Sequence, residues 1–342
     1  MSDILKKIKE AGLVGRGGAA FPTHLKWQAV KNAHSDKKYL IVNGAEGEPG
    51  IHKDEYILIN HLNEFCLGLK LAADYVSSSK IFFYLNSKYF DLYKKNIINN
   101  LNKVGLKGKF EITKKTKESG YIGGEESTIL NILEGKILEP RLKPPFPTEH
   151  GLWSAPTLIQ NIETLYNVYL VDKNKFKNTR FYSINVGSKN KGVYSLADDL
   201  SIAEVLQQTN FYPKYKFFVQ IGGDAAGEVL NDSQLEKKVS GAGSITIYNL
   251  IEHNPERLVA YWLDFFVKNS CGQCTPCREG TYRLKEMLDE AKTIKKMLLN
   301  DKLKEITDNL FLSSFCALGL SVPIALLSYL ENVYKPNIKL YE

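Results

Sequence analysis

Tyr39-Leu40-Ile41-Val42-Asn43-Gly44-Ala45-Glu46-Gly47-Glu48-Pro49-Gly50 is the stretch that decides the fold class. Its first four residues are apolar and do not alternate with polar ones, so they read as a buried strand. The strand runs straight into a turn of glycines and carboxylates. In α/β sheets, carboxylates at the carboxyl end of a strand face a ligand crevice. Glu46 and Glu48 are therefore candidates to accept hydrogen bonds from ribose hydroxyls or an amide. A solvated loop is the plain alternative, but Pro49 and the flanking glycines argue for a shaped one.

The chain downstream alternates helix and strand patterns. Leu58–Tyr75 reads as a helix, Lys80–Leu85 as a strand, Asp91–Val104 as a helix and Phe110–Thr113 as a strand, which is an α/β arrangement. Gly123-Gly124-Glu125-Glu126 opens an apolar helical run to Leu133. Lys143-Pro144-Pro145-Phe146-Pro147 is a rigid loop, and Gln160–Leu170 reads as a helix. The section 176–250 is strand-rich, with β-like runs at 180–186, 216–221 and 244–248 and a helix at 202–208. That is the pattern of a small β-grasp-type module. The section 251–342 is nearly all helical. The expected divisions are 1–175, 176–250 and 251–342.

Upstream, Gly15-x-Gly17-x-x-Ala20 meets the dinucleotide fingerprint by letters, but a charged helix precedes it instead of a strand. A Rossmann site is rejected on that ground. Glycines still let backbone N–H groups approach a phosphate or a flat ring, and Lys26 can add charge. The two carboxylates at 125 and 126 suit a helix N-terminus through the macrodipole alone. A carboxylate near an adenosine ribose would also repel a 2′-phosphate.

Composition narrows the classes. Hydrophobic residues make 44% and charged residues 24%, which excludes a disordered or fibrous chain. The net charge of +7 is spread along the chain and reads as solubility instead of a nucleic-acid footprint. Met1 to Gly12 is charged and helix-like, with no apolar signal region. No charged residue occurs from Asn309 to Leu330, but Gly319 and Pro323 interrupt it. A buried helix–turn–helix is expected there instead of a spanning helix. The six histidines show no metal spacing, and there is no catalytic triad or Walker lysine.

Cysteine gives the strongest local signal. Three of the five cysteines, Cys271, Cys274 and Cys277, lie within seven residues, and Cys316 follows 39 residues later. Four thiolates are what a [4Fe-4S] cluster needs. Structural zinc is the alternative, but its ligands come as two separated pairs. Cys66 lies in an apolar helical stretch and reads as a small core residue.

Together these residues resemble a known family. The carriers are Gly15-Arg16-Gly17-Gly18, Phe21-Pro22-Thr23, Leu25-Lys26-Trp27, Asn43 to Gly50 with Lys53-Asp54, and Gly124-Glu125-Glu126. They continue with Lys143 to Pro147, Asn161-x-Glu163-Thr164-Leu165, Ser270 to Arg278 and Phe315-Cys316-Ala317. Collinear over nearly the whole chain, they are similar to the NADH-binding subunit of respiratory complex I, the NuoF family. They are equally similar to diaphorase subunits of NAD-linked hydrogenases and formate dehydrogenases.

The resemblance implies a non-Rossmann α/β domain for FMN and NADH (1–175), an SLBB-type β-grasp module (176–250) and a helical [4Fe-4S] domain (251–342). It implies that hydride passes from NADH to FMN and that single electrons pass to the cluster. Gly15, Arg16, Gly17, Gly18 and Lys26 would meet FMN. Asn43, Glu46, Gly124, Glu125, Asn161 and Thr164 would line the flavin pocket. Phe21, Glu48, Glu126, Lys143 and Phe146 would serve NADH, with Glu48 and Glu126 nearest the chemistry. Cys271, Cys274, Cys277 and Cys316 would hold the cluster. A thioredoxin-like [2Fe-2S] subunit and a large iron–sulfur subunit are the expected partners. The expected place is the cytoplasm or the cytoplasmic face of a membrane complex, without a transmembrane segment of its own.

There are departures. Ala45 stands where the family carries Asp, Gln160 where it carries Asn, and Ala20 where it carries Gly. Ala29 replaces a frequent aromatic. An RnfC-like electron-entry subunit, a flavin-less paralogue and a zinc-bearing scaffold stay open on the residues alone. So does the terminal acceptor: quinone, protons or CO₂.

Overall fold

The computed structural model describes residues 3–341. The chain divides into two compact units. One runs to Gly47 and resumes over His52–Phe181; the other joins Glu48–Ile51 to the chain from Tyr182 onward.

In the first unit, α1 (Asp3–Glu10) and α2 (Thr23–Asn32) flank the Gly-rich loop. Then come β1 (Tyr39–Gly44), α3 (Lys53–Asn60), α4 (Leu62–Val76), β2 (Lys80–Leu85), α5 (Ser87–Lys103) and β3 (Phe110–Lys114). The unit closes with α6 (Glu126–Leu133), β4 (Thr157–Asn161) and α7 (Ile162–Asp172). The four strands form an all-parallel sheet of order β3-β2-β1-β4. Leu40, Ile41 and Val42 are wholly buried, as are Phe83, Tyr84 and Leu85. Parallel strands are covered on both faces, which is why these runs carry no polar alternation. The strand order reverses between β1 and β4, and the carboxyl ends there meet in register at Asn43 and Asn161. That is the switch point at which open α/β sheets bind ligands.

The helix expected over 58–75 is two helices. His61 breaks it at φ −135°, ψ 29°, and its ring packs 4.9 Å from that of Tyr166. The helix expected from Gln160 begins at Ile162, because β4 occupies Thr157–Asn161. Gly68 lets α4 lie directly on α7. Any side chain there would collide with the Leu165 carbonyl.

The second unit starts within β5 (Thr179–Val186) and continues with β6 (Lys189–Ala197), α8 (Ile202–Gln208), β7 (Phe217–Ile221), β8 (Glu228–Asn231) and β9 (Ser244–Asn249). Its mixed sheet has the order β6-β5-β9-β7-β8. β5 and β9 are parallel, and β7 is antiparallel to both β8 and β9. α8 closes the core over Tyr182, Ile184, Val219 and Ile247, and its start is fixed by a reciprocal Ser201–Glu204 capping box. The helices α9 (Pro255–Asn269), α10 (Thr275–Ala291), α11 (Ile294–Met297), α12 (Lys302–Ser313) and α13 (Ala317–Tyr329) follow.

The uncharged stretch is a helix–turn–helix, α12 ending at Ser313 and α13 starting at Ala317. With the turns that extend it, the helix over Ala317–Leu340 is long and apolar enough to cross a membrane by length and composition, and 56% of its most apolar window is buried within the protein. Ser328 on it accepts a hydrogen bond from the Val229 N–H of β8 (2.9 Å).

Candidate functional site

Asn43 and Asn161 organise the switch point of the parallel sheet. Asn43 donates to the Gly124 carbonyl (2.9 Å), which ties the start of α6 to the end of β1. Asn161 caps α7 by accepting from the Glu163 N–H (2.9 Å). It also accepts from Lys53 (3.1 Å) and donates to Asp54 (2.9 Å). Lys53, Asp54 and Glu163 are all at most 2% exposed. Lys53 Nζ lies 2.6 Å from Asp54 Oδ1 and 3.5 Å from Glu163 Oε2. Burial alone would lower the Lys53 pKa, but these carboxylates outweigh it and raise it. A buried cation is tolerated only when paired in this way.

Glu46 faces the same network. Its carboxylate accepts from the Asp54 N–H (2.9 Å) and the Tyr89 hydroxyl (2.5 Å). Burial, then the neighbouring Asp54, pushes its pKa up to about 7. Glu46 thus anchors the acidic turn onto α3 and α5.

The Gly-rich loop is pinned at its base and open at its tip. The Gly15 N–H donates to the Phe21 carbonyl (2.8 Å), and Arg16 N donates to Thr164 Oγ1 (2.9 Å). Thr164 therefore fixes the loop to α7. Gly18 has φ 113°, and nothing stands within 4 Å of where its Cβ would be. Ala20 takes the left-handed conformation (φ 51°) that the family's glycine would adopt freely. Phe21 and Phe146 are about half exposed, at 52% and 51%.

Glu125 and Glu126 have different tasks. Glu125 is the N-cap of α6 and accepts from the Ser127 and Thr128 N–H groups (2.8 Å each). Glu126 pairs with Lys26 (2.9 Å) and Lys143 (2.9 Å). Burial would raise its pKa, but the two ammonium groups together hold it at about 2.

Lys115, just beyond β3, was not singled out by the sequence. It is 7% exposed, and its Nζ lies 3.4 Å from the Ala45 carbonyl oxygen. Among the described residues no carboxylate pairs with it. Burial pulls its pKa down to about 8. A lysine at a strand end carries no periodic signal, so only the folded chain reveals it.

Asn43, Asn161, Glu46, Gly124, Glu125 and Thr164 therefore gather at the carboxyl ends of β1 and β4, together with the Gly-rich loop. An open glycine backbone, exposed aromatics and three lysines fit a phosphorylated planar cofactor such as FMN.

Glu48 belongs to the other unit. The Ala225 and Ala226 N–H groups both donate to its Oε1 (3.0 Å each). Gly223 (φ 144°) gives it room, since any side chain there would overlap the carboxylate. The Asp224 N–H donates to the Pro49 carbonyl (3.0 Å) and Asn185 to that of Gly50 (2.8 Å).

The four cysteines of the same unit share one neighbourhood. Cys274 is the N-cap of α10 and Cys316 the N-cap of α13, so both thiols lie at positive helix ends. Cys277 sits in the first turn of α10, 3.4 Å from Ser270 Oγ. Burial pushes its thiol up to about 11, and Cys274, Cys316 and Cys271 lie near enough to add to the shift. Gly319 brings α13 against α10; a Cβ on it would stand 3.2 Å from that of Cys277. Among the described residues no three such side chains converge as ligands of one metal ion. Four thiols grouped on two helix ends fit an iron–sulfur cluster. Cys66 is wholly buried in α4 and its thiol is pushed up to about 12 by burial, as a core residue should be.

Comparison with known proteins agrees with this layout. Residues 8–170 match the family described as the Nuo51 FMN-binding domain. Residues 257–338 match the NADH-ubiquinone oxidoreductase-F iron-sulfur binding region. The F subunit of the NADH-quinone oxidoreductase of Streptomyces coelicolor is 31% identical, over 98% of this chain and 83% of the relative. The NADP-reducing hydrogenase subunit HndC of Solidesulfovibrio fructosivorans is 28% identical, over 98% and 76%. The crystal structure of an NAD⁺-reducing [NiFe]-hydrogenase in the H₂-reduced state superposes with a TM-score of 0.87 at 26% identity; it covers 97% of this chain, which spans 61% of that one. These matches favour the first reading of the motifs over the RnfC-like one. The chain belongs to the family of NADH-quinone oxidoreductase F subunits and related diaphorases, with an FMN-binding domain and a [4Fe-4S]-binding region.

Proposed function

We propose that the chain is the NADH-oxidising, electron-entry subunit of a larger redox complex. The observation that carries this is the pairing, in one chain, of an open glycine loop at a parallel-sheet switch point with four neighbouring cysteines, three of them at the N-termini of α10 and α13. FMN, when bound, supplies the exchange between a two-electron donor and a one-electron acceptor.

The chain's residues divide the remaining work. The Gly15–Gly18 loop meets the cofactor phosphate through the backbone N–H groups of Gly17 and Gly18 at its tip, those of Gly15 and Arg16 being held by Phe21 and Thr164, with Lys26 as the nearby cation. Asn43 and Asn161 orient the planar ring from the strand ends. Glu46, Glu125 and Thr164 hold the turn, the helix start and the loop in place. Phe21 and Phe146 stack on adenine. Glu126, ionised between Lys26 and Lys143, accepts hydrogen bonds from ribose hydroxyls and repels a 2′-phosphate. Glu48, clamped by two backbone N–H groups, is assigned to NADH. Cys271, Cys274, Cys277 and Cys316 hold the cluster.

We assign 176–250 to an SLBB-type β-grasp module and 251–342 to a helical cluster domain, after an FMN- and NADH-binding domain over 1–175. A thioredoxin-like [2Fe-2S] subunit and a large iron–sulfur subunit are the proposed partners. The exposed Phe311, Leu312 and Phe315, just before Cys316, suit a surface that a partner covers. As part of such a complex the chain would work at the cytoplasmic side.

The test is an anaerobic preparation titrated with NADH and then NADPH. The expected result is a flavin spectrum bleached by NADH and not by NADPH, with Glu126→Gln narrowing that preference by about tenfold. An iron–sulfur spectrum with no flavin and no response would overturn the reading.

A further inference from the structure

Lys115 is the buried charge that the proposed chemistry has not used. Its Nζ is 3.4 Å from the Ala45 carbonyl oxygen. An ideal Cβ on Gly47 would lie 2.9 Å from that Nζ, and one on Gly123 would lie 3.5 Å from its Cε. The ammonium is thus enclosed between the acidic turn and the start of α6, the two segments assigned above to the flavin. Within the first unit the other site lysines all have carboxylate partners: Lys26 pairs with Glu126, Lys143 with Glu125 and Glu126, and Lys53 with Asp54 and Glu163. The neighbour that the resemblance expects to be Asp is Ala45, which is 1% exposed and carries no charge.

Resting on the FMN reading above, we propose that Lys115 is a positioning residue for electrons: its unpaired buried ammonium favours the reduced over the oxidised flavin. Hydride transfer from NADH adds two electrons and one proton to the flavin and leaves NAD⁺. One extra negative charge therefore stays on the reduced ring. A cation enclosed in a medium less polar than water answers that charge over a longer range than a solvated one does. The usual Asp at position 45 would cancel it. Ala45 and Lys115 together make this site more positive than the family pattern implies.

The test is a spectroelectrochemical titration of bound FMN in the intact complex, with Lys115→Met and Lys115→Arg beside the unaltered protein. Lys115→Met is expected to cost at least about tenfold in the preference for reduced over oxidised flavin, a fall of about 30 mV for a two-electron couple. Lys115→Arg is expected to restore it. FMN content, measured on the same samples, separates a loosened loop from a changed field. An unchanged potential in a flavin-loaded Lys115→Met protein overturns the proposal and leaves the FMN reading standing. An unaltered protein that binds no FMN overturns both.

Discussion

The thiol site and the flavin-side site are built in opposite ways. Three of the four cysteines come from one turn entering α10, and the fourth opens α13. The flavin-side site draws Arg16 to Thr164, Lys26 to Glu126 and Lys53 to Glu163. A cluster site needs donors of one type on a compact scaffold, so a local motif can state most of it. A cofactor cradle needs different groups around a large ligand, so it is assembled from strand ends that only a sheet brings together. The energetics differ too. The thiols are placed by helix ends and close helix packing at Gly319, whereas in the first unit α3 and α7 carry a buried Lys53–Asp54–Glu163 network beside the strand end at Asn161.

This contrast can be broken, and the largest expected effect tests the independence of the thiol site. Cys316→Ser should abolish the [4Fe-4S] absorbance and most of the bound iron while leaving FMN content unchanged. Iron and flavin analysis of one preparation decides it; joint loss of both would mean the two sites are not separate. Next comes the buried network. Lys53→Met leaves Asp54 and Glu163 without their cation and should destabilise the first unit by about 3–5 kcal/mol. Equilibrium denaturation followed by probes in each unit measures this, and a loss below about 1 kcal/mol, as for an exposed pair, would erase the contrast.

The smallest effect concerns Lys115. Its folded pKa of about 8 lies below the ordinary lysine value of 10.5. The unfolded chain therefore binds more protons between these values, and stability rises with pH across that window. The apoprotein should gain up to about 3 kcal/mol relative to Lys115→Met between pH 8 and 10.5. Parallel curves for the two proteins would mean that Lys115 is solvated and carries no special charge.

Legibility followed the same division. β1 and β2 were readable because both faces are buried, which leaves an unbroken apolar run. The helix expected at 202–208 is α8, and the Ser201–Glu204 capping box seen in the structure fixes its start. β4 was hidden because it has five residues and its last, Asn161, is also the cap of α7. β6 was hidden because its polar face is largely solvent-exposed and gives no buried alternation. The expected helix over 58–75 was split by the aromatic packing of His61, a tertiary cause.

The sequence by itself determined the α/β class, the Cys271-x2-Cys274-x2-Cys277 spacing and the glycine loop, since each depends on local pattern and on intrinsic backbone freedom. Only the tertiary structure decided that Glu126 is shared by two lysines, that Thr164 pins the loop, that Glu48 is held by the amides of Ala225 and Ala226, and that Lys115 is buried beside Ala45. The reason is physical. A side chain's charge state and reach depend on what surrounds it, and in this protein its surroundings come from segments far away along the chain.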